Sequence, residues 1–128
     1  MKLRCTENSI RIRIRKSELK ELAEKGKIAE HVHFANTAVF TFSLNLMGGI
    51  TGLSAMCLSN NIMVTLPKKQ AMIWMNTNQV GLEANYELDE GQTLHILVEK
   101  DFPCLDRENE DKSDTFWELA AEESPDPC

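Results

Sequence analysis

Three arginines at alternate positions are the residues of this chain whose type and spacing point most directly to chemistry. They are Arg11, Arg13 and Arg15, and isoleucines separate them at Ile12 and Ile14. On an extended strand, alternate side chains project from one face and lie about 7 Å apart. Guanidinium groups in such a row can bind carboxylate or phosphate, so the row predicts a site for a small anion. The alternative is a solvated or ion-paired outer face of a sheet.

Two histidines, His31 and His33, form a second candidate site within an alternating run at residues 28–34. Because they are two positions apart, both project from the same face of a strand. An H-x-H pair on a strand can ligate zinc when a third ligand lies nearby. A metal site is therefore one hypothesis for this pair, and exposed strand histidines are the alternative.

No catalytic motif accompanies these residues. The sequence contains no HExxH, no CxxC, no G-x-x-x-x-G-K-[ST] phosphate loop and no Ser/His/Asp order typical of a hydrolase. A Cys–His hydrolase could use Cys57 or Cys104 with His95, but nothing in the sequence brings these residues together. We therefore expect a protein that is not an enzyme and that needs no cofactor.

The arginine row belongs to a longer stretch, Asn8–Leu22, much of which recurs 52 positions later at Asn60–Trp74. The matched pairs are Cys5 with Cys57, Asn8 with Asn60, Ile10 with Ile62, Ile12 with Val64, and Ile14 with Leu66. The arginines do not recur, because their counterparts are Met63, Thr65 and Pro67. The repeat predicts an internally duplicated chain in which each unit contains two strands, a short helix and two further strands.

This pattern predicts a mainly β protein with two short helices. We expect one domain over residues 1–102, with halves at residues 1–47 and 53–102 joined by a glycine-rich linker at residues 48–52. Residues 103–128 form an acidic C-terminal segment without periodicity, and its end is expected to be disordered. One hypothesis is that this acidic segment folds back onto the arginine row.

The composition, with 42% hydrophobic and 27% charged residues, is typical of a soluble globular protein. No apolar run approaches the roughly 20 residues of a membrane helix, and no secretory signal precedes the first strand. We therefore expect a cytoplasmic protein with no membrane partner, in which the four cysteines are thiols. The net charge of -6 disfavours an extended nucleic-acid surface.

The order of the motifs resembles the swapped-hairpin barrel of MazE- and AbrB-like antitoxins and transition-state regulators. A unit of that family carries N-S, then an apolar strand ending in R-I-P or similar, then a helix. Asn8-Ser9 and Arg13-Ile14 match this order in the first half, and Asn60-Asn61 and Leu66-Pro67 match it in the second. Over roughly residues 1–102, the resemblance implies a pseudo-two-fold, swapped-hairpin-like β-barrel closed by a single chain.

The same resemblance implies DNA binding through basic residues around the turn that precedes N-S. The corresponding positions here are Cys5, Thr6 and Glu7 in one half and Cys57, Leu58 and Ser59 in the other. Arg4 is the basic residue nearest to them. A DNA-binding regulator is therefore an alternative function.

The whole chain also resembles an uncharacterised small bacterial family, through N-S-I-R-x-R at Asn8–Arg13 and V-E-K-D-F-x-C-L-x-R at Val98–Arg107. This resemblance implies no activity. The first hypothesis is a non-enzymatic cytoplasmic binding or regulatory module for a protein partner or a small anionic ligand. The alternatives are a DNA-binding regulator and a metal-binding protein.

Overall fold

The computed structural model describes residues 1–101, which form eight strands, two α-helices and a single turn of 3-10 helix at Asp89–Gly91. The strands are β1 (Lys2–Thr6), β2 (Ser9–Ile14), β3 (Lys27–His33), β4 (Val39–Met47), β5 (Ser54–Leu58), β6 (Asn61–Pro67), β7 (Gly81–Glu87) and β8 (Thr93–Lys100). The helices are α1 (Lys16–Lys25) and α2 (Lys68–Asn76). The predicted class, mainly β with two helices, is confirmed. The acidic C-terminal segment at residues 103–128, including its end, lies outside the described residues.

The strands form two four-stranded sheets. The first sheet has the order β1-β2-β8-β7, and the second has the order β3-β4-β6-β5. In each sheet the two central strands run parallel, and each outer strand pairs with its neighbour as an antiparallel hairpin. Each sheet therefore combines one hairpin from residues 1–47 with one hairpin from residues 53–101.

The prediction of a closed β-barrel was wrong. Each sheet keeps two edge strands, β1 and β7 in the first and β3 and β5 in the second, and no strand pairing joins the sheets within residues 1–101. A four-stranded sheet needs only one face covered to bury its apolar row, and here the two sheets and both helices supply that cover. Burial of the apolar rows in the described chain therefore does not require the edge strands of the two sheets to pair with each other.

One hydrophobic core contains residues from both sheets and both helices. On β2, Ile12 and Ile14 are fully buried, as the alternation of this strand predicts. The other core residues include Phe42 and Leu44 of β4, Val64 and Leu66 of β6, Leu82 of β7, Ile96 and Val98 of β8, and Leu22, Ala71 and Trp74 of the helices. The period-two apolar rows thus fix which face of each strand points inward.

Two-residue turns set the register of the hairpins β1–β2 and β5–β6. The turn residues Glu7 and Asn8 have φ of 44° and 62°, and Ser59 and Asn60 have φ of 49° and 63°. Two consecutive residues with positive φ are typical of the type I′ turn, whose twist suits a hairpin. These turns align Thr6 with Ser9 and Leu58 with Asn61.

Both helices are short, and α1 is capped at both ends. At the start of α1 the Glu18 carboxylate accepts a hydrogen bond of 2.9 Å from the backbone N–H of Arg15. The helix ends at Lys25 and is capped by Gly26, whose φ of 76° suits glycine. Helix α2 follows Pro67 and carries Trp74, whose Nε1 donates to the carbonyl oxygen of Val80 at 2.9 Å. Neither α-helix of the described chain is long and apolar enough to cross a membrane.

Candidate functional site

Arg11 and Arg13 share one carboxylate on the outer face of the first sheet. Strand β8 runs parallel to β2 and places Glu99 opposite Arg13. The Nε atoms of Arg11 and Arg13 lie 2.6 Å and 2.8 Å from the same oxygen, Glu99 Oε1. Arg13 and Glu99 are only 8% and 7% exposed, so this ion pair is largely removed from water. The two arginines therefore already have an anionic partner within the sheet.

The electrostatics of this cluster favour the ionised form of Glu99. Burial raises the pKa of the Glu99 carboxyl, but the hydrogen bonds and positive charges of Arg13 and Arg11 outweigh burial. The pKa of Glu99 consequently lies below its usual value. An external anion at Arg11 and Arg13 would have to compete with a carboxylate that stays charged at neutral pH.

Arg15 lies apart from the other two arginines. Strand β2 ends at Ile14, and Arg15 precedes the first residue of α1. Its Nε lies 3.3 Å from Glu18 Oε1, and its side chain is 68% exposed. The row of three arginines predicted from the sequence is therefore divided between an ion-paired cluster and a helix start, while anion binding at these residues stays a prediction.

His31 and His33 project together from the outer face of β3. The Nδ1 atom of His31 lies 2.9 Å from the hydroxyl oxygen of Thr41 on β4. Within residues 1–101, no group of three His, Cys, Asp or Glu side chains is arranged to hold a metal ion. The described chain thus offers this pair no third ligand, and the metal site stays a prediction.

The same two histidines line an acidic cleft of about 430 Å³ beside α1, together with Glu18, Glu21 and Glu30. The α-amino group of Met1 lies at this cleft and forms ion pairs with Glu18 and Glu30. Burial raises the pKa of Glu18, but the Met1 amino group and Arg15 outweigh it, so the pKa lies below its usual value. The carboxylates of this cleft are partly neutralised by the chain itself.

A ladder of Ser9, His95 and Glu83 crosses the outer face of the first sheet in the order of a catalytic triad. The Ser9 hydroxyl lies 3.3 Å from Nδ1 of His95, and Nε2 of His95 lies 2.9 Å from a Glu83 carboxylate oxygen. However, the Glu83 side chain is 68% exposed, so water screens its charge. Ser9 and His95 also lie on central strands, whose backbone N–H groups bond to neighbouring strands and are not free to form an oxyanion hole. The geometry fits a cross-strand ladder better than a hydrolase site.

A cleft of about 440 Å³ opens between the start of α1 and the segment that follows α2. Its apolar lining comes from Ile14, Leu19, Met75 and Val80, and its polar lining from Arg15, Lys16, Asn78, Lys100 and Asp101. This volume lies in the range of small-molecule sites, about 300–1,000 Å³. Three cations and one carboxylate give the lining a net positive charge. This cleft is mainly apolar and cationic, whereas the cleft lined by His31 and His33 is acidic.

Backbone bonds hold the walls of this cationic cleft in place. The N–H of Lys100 donates to the carbonyl oxygen of Val80 at 2.9 Å, and the N–H of Asp101 donates to that of Ile14 at 2.8 Å. The ammonium group of Lys100 donates to the carbonyl oxygen of Thr77 at 2.7 Å. The end of β2, the end of β8 and the loop after α2 therefore form one connected wall.

The outer face of the second sheet has a different character, because it is almost free of charge. Alternation from the buried rows assigns Lys27, Ala29, His31, His33, Val39, Thr41, Ser43, Asn45, Ser54, Met56, Leu58, Asn61, Met63 and Thr65 to this face. Lys27 alone among them carries a formal charge at neutral pH. Met56 and Leu58 are 60% and 67% exposed. Exposed apolar side chains without charges are typical of the centre of a protein interface.

A sequence pattern points to Glu99, whereas no sequence pattern points to the cationic cleft. Glu99 interrupts the apolar run of β8 at a position two after Leu97, which places it on the outer face. A carboxylate on a central strand needs a cationic partner when it is buried, and this requirement is a signal for Glu99. The cleft joins residues 14–19 to residues 75–101, and no local pattern predicts such a contact.

Comparison with known proteins gives one match. The family described as "Family of unknown function (DUF7009)" matches residues 1–119. The predicted resemblance to an uncharacterised family is thereby confirmed. No curated protein matches the chain, and no solved structure matches it. The resemblance to MazE- and AbrB-like proteins therefore stays a prediction.

Proposed function

Because the chain belongs to DUF7009, a family of unknown function, we propose from its geometry that it is a non-enzymatic binding module for a small amphipathic anion. The observation that carries this proposal is the cationic cleft, which combines an apolar floor with three positively charged side chains. The proposed ligand has an apolar body and a carboxylate or phosphate head. This assignment moves the predicted anion site from the arginine row to the cleft that contains only Arg15 of that row.

The apolar floor would take the body of the ligand. Ile14 is fully buried, and the partly buried Leu19 and Met75 pack against the core, so the floor rests on fixed core residues. Removing apolar surface from water contributes about 25 cal/mol for each Å². A short hydrocarbon chain would therefore bind more tightly as its length increases, until the cleft is filled.

The cationic rim would hold the head of the ligand. Arg15 and Lys16 stand at the N-terminal end of α1, and Lys100 stands across the cleft at the end of β8. The unpaired N–H groups of a helix start add partial positive charge to that of the side chains. Asp101 lies in the same lining and disfavours a second negative charge beside it. This balance favours a monoanionic head.

The lining supports binding over catalysis. None of the described lining residues is a serine, cysteine or histidine, so the cleft brings no hydroxyl, thiol or imidazole to a bound molecule. The exposed thiols of Cys5 and Cys57 lie elsewhere and are free. Exposed free thiols suit a reducing compartment, which supports the cytoplasmic location that we propose.

Thermal unfolding in the presence of straight-chain carboxylates tests the proposal. We expect octanoate to raise the Tm of the protein, acetate to leave it unchanged, and octylamine to leave it unchanged, because both the apolar body and the negative head are required. Lys16→Gln combined with Lys100→Gln should remove the shift. Lys20→Gln, an exposed position of the same helix outside the cleft, is the matched control.

Equal shifts from octanoate in the double variant and in the wild type would contradict the proposal. Inorganic phosphate distinguishes the cleft from the Arg11–Arg13 cluster, since it has no apolar body. A Tm shift with phosphate that is lost in Arg11→Ala with Arg13→Ala would assign anion binding to the cluster instead.

DNA binding is a second candidate function, favoured by one observation. The register of β1 and β2 places Lys2 beside Arg13 and Arg4 beside Arg11, so four cations share one outer face. Glu99 neutralises part of this charge. This candidate predicts binding to duplex DNA that weakens steeply with salt and that decreases in Arg4→Ala. Absence of a gel shift at low salt would exclude it.

We also infer that residues 1–47 and 53–102 are copies of one unit whose hairpins are exchanged between the sheets. Two features support this inference. The positive-φ turns Glu7-Asn8 and Ser59-Asn60 are separated by the same 52 positions as the matched sequences. In addition, the parallel pairs β2–β8 and β4–β6 hold the same central place in their sheets.

A further inference from the structure

We propose that the protein forms a two-fold dimer in which β5 pairs antiparallel with β5 of a second copy. Within residues 1–101, strand β5 is an edge of the second sheet, with β6 on one side. An edge strand presents unpaired backbone N–H and C=O groups, which bind an added extended strand. The proposed pairing would join two four-stranded sheets into one continuous eight-stranded sheet.

Strand β5 differs from the other three edge strands of the described chain because it contains no charged residue. The edge β1 carries Lys2 and Arg4, the edge β3 carries Lys27 and Glu30, and the edge β7 carries Glu83 and Glu87. Charged side chains on an edge oppose the approach of another strand. The five residues of β5, Ser54–Leu58, contain no charge, no proline and no glycine. Strand β5 is therefore the edge, among these four, that lacks protection against pairing.

The side chains of β5 and its neighbour supply the apolar contact that a strand pairing needs. Met56 and Leu58 project from the outer face with 60% and 67% exposure, and Met63 lies beside Met56 on β6. The methionine side chain is flexible and adapts to an opposing surface. Burial of these side chains in a strand pairing would stabilise it, because apolar surface is removed from water.

A second copy of the chain is the occupant that fits this edge by symmetry. A two-fold axis through the middle of β5 places Met56 opposite Met56 of the second copy, and Ala55 opposite Cys57. Such an interface is built from one self-complementary patch. No charged residue faces its counterpart in this register, whereas the overall charge of -6 opposes contact elsewhere between two copies. The pairing is independent of the ligand proposed for the cationic cleft.

Met56→Lys tests the proposal through the oligomeric state. Sedimentation equilibrium across the micromolar range should show a dimer for the wild type and a monomer for Met56→Lys, because the substitution places two lysines against each other. Asn85→Lys is the matched control, since Asn85 is an exposed outward residue of the edge β7. That variant should remain dimeric, and circular dichroism with thermal unfolding verifies that both variants fold.

Disulfide formation tests the register. In a chain with Cys5, Cys57, Cys104 and Cys128 changed to serine, Met56→Cys should give a covalent dimer on mild oxidation. Directly opposed residues of an antiparallel pair have Cβ atoms about 4.5–5.5 Å apart, close to the separation that a disulfide requires. Ser54→Cys in the same background faces position 58 of the second copy and should stay uncrosslinked.

A monomeric wild type overturns the proposal, and so does a dimer that persists in Met56→Lys. A disulfide at position 54 but not at position 56 overturns the two-fold register. Hydrogen exchange identifies the occupant if the full chain is monomeric. Slow exchange of the β5 amides in that monomer would mean that another segment of the same chain covers the edge.

Discussion

The two parallel strand pairs at the centres of the sheets share their inward rows and differ on their outward faces. We call two residues that face each other on paired strands a rung. In the first sheet the rungs on the outward face are Ser9–His95, Arg11–Leu97 and Arg13–Glu99. In the second sheet the rungs at the same places are Asn61–Thr41, Met63–Ser43 and Thr65–Asn45. A buried ion cluster thus stands where the other sheet has short polar and apolar side chains.

The difference indicates that parallel pairing in this fold requires the apolar rows but not the ion cluster. Strands β6 and β4 pair over seven rungs without any charged residue on their outward face. Burying Glu99 with Arg13 removes both charges from water, and their attraction must offset that cost. The cluster is therefore a property of one sheet and not of the architecture, and three variants can test its contribution.

The largest effect is expected from Glu99→Ala. The substitution leaves Arg13, which is 8% exposed, without the carboxylate of its rung. Breaking a buried pair from one side costs about 3 kcal/mol of unfolding free energy. Asn45→Ala, the matched rung of the second sheet, removes one hydrogen bond to Ser43 and should cost about 1 kcal/mol. Urea unfolding measures both, and equal losses would refute the distinction.

A smaller effect is expected when the rung of the second sheet is transferred to the first. Arg13→Thr with Glu99→Asn removes both charges of the rung and installs the pair found at Thr65–Asn45. Because the buried guanidinium of Arg13 is removed together with the Glu99 carboxylate, the double variant should lose about 1–2 kcal/mol, less than Glu99→Ala alone. If urea unfolding finds the double variant less stable than Glu99→Ala, the rest of the first sheet must depend on the cluster.

The smallest effect is a change in acid sensitivity. The pKa of Glu99 lies below the reference value of 4.5 in the folded protein, so its contribution to stability is present above about pH 4.5. That contribution is lost as the pH falls through the folded-state pKa. The unfolding free energy of the wild type should therefore fall more steeply below pH 4.5 than that of Glu99→Gln. Glu18 also has a lowered pKa, but it contributes equally to both proteins, and parallel curves would contradict the role of Glu99.

The arginines on the outer face of β2 show which features the alternation of a strand predicts and which it does not. The alternation of β2 predicts that Ile12 and Ile14 are buried and that the arginines share the opposite face, and the burial of both isoleucines confirms the first part. An ion-paired face was one of the two interpretations, and Glu99 provides the partner for Arg11 and Arg13. The pattern also extended the row to Arg15, whereas β2 ends at Ile14. The periodicity of a strand does not show at which residue the strand ends and the following helix begins.

The closed barrel was the main error, and its cause is general. The local order of strands and helices follows from turn residues and apolar periodicity. Both of these signals depend on residues that are close together in the sequence. Whether two edge strands meet depends on the twist and position of whole sheets. No single residue of β1, β3, β5 or β7 specifies whether these edge strands pair. A motif resemblance over short stretches therefore favoured closure that the described chain does not have.

The sequence by itself determined the mainly β class, the inward rows and the hairpin turns, because each depends on residues within a few positions of one another. The tertiary structure decided which charges meet. Glu99 joins Arg11 and Arg13 only because β8 pairs with β2, at a separation of more than 80 positions along the chain. It likewise decided that Arg15, Lys16 and Lys100 line one apolar cleft. Strand register and sheet packing are long-range properties, so the arginine row, read locally as one anion site, becomes a buried ion cluster and one wall of a cleft.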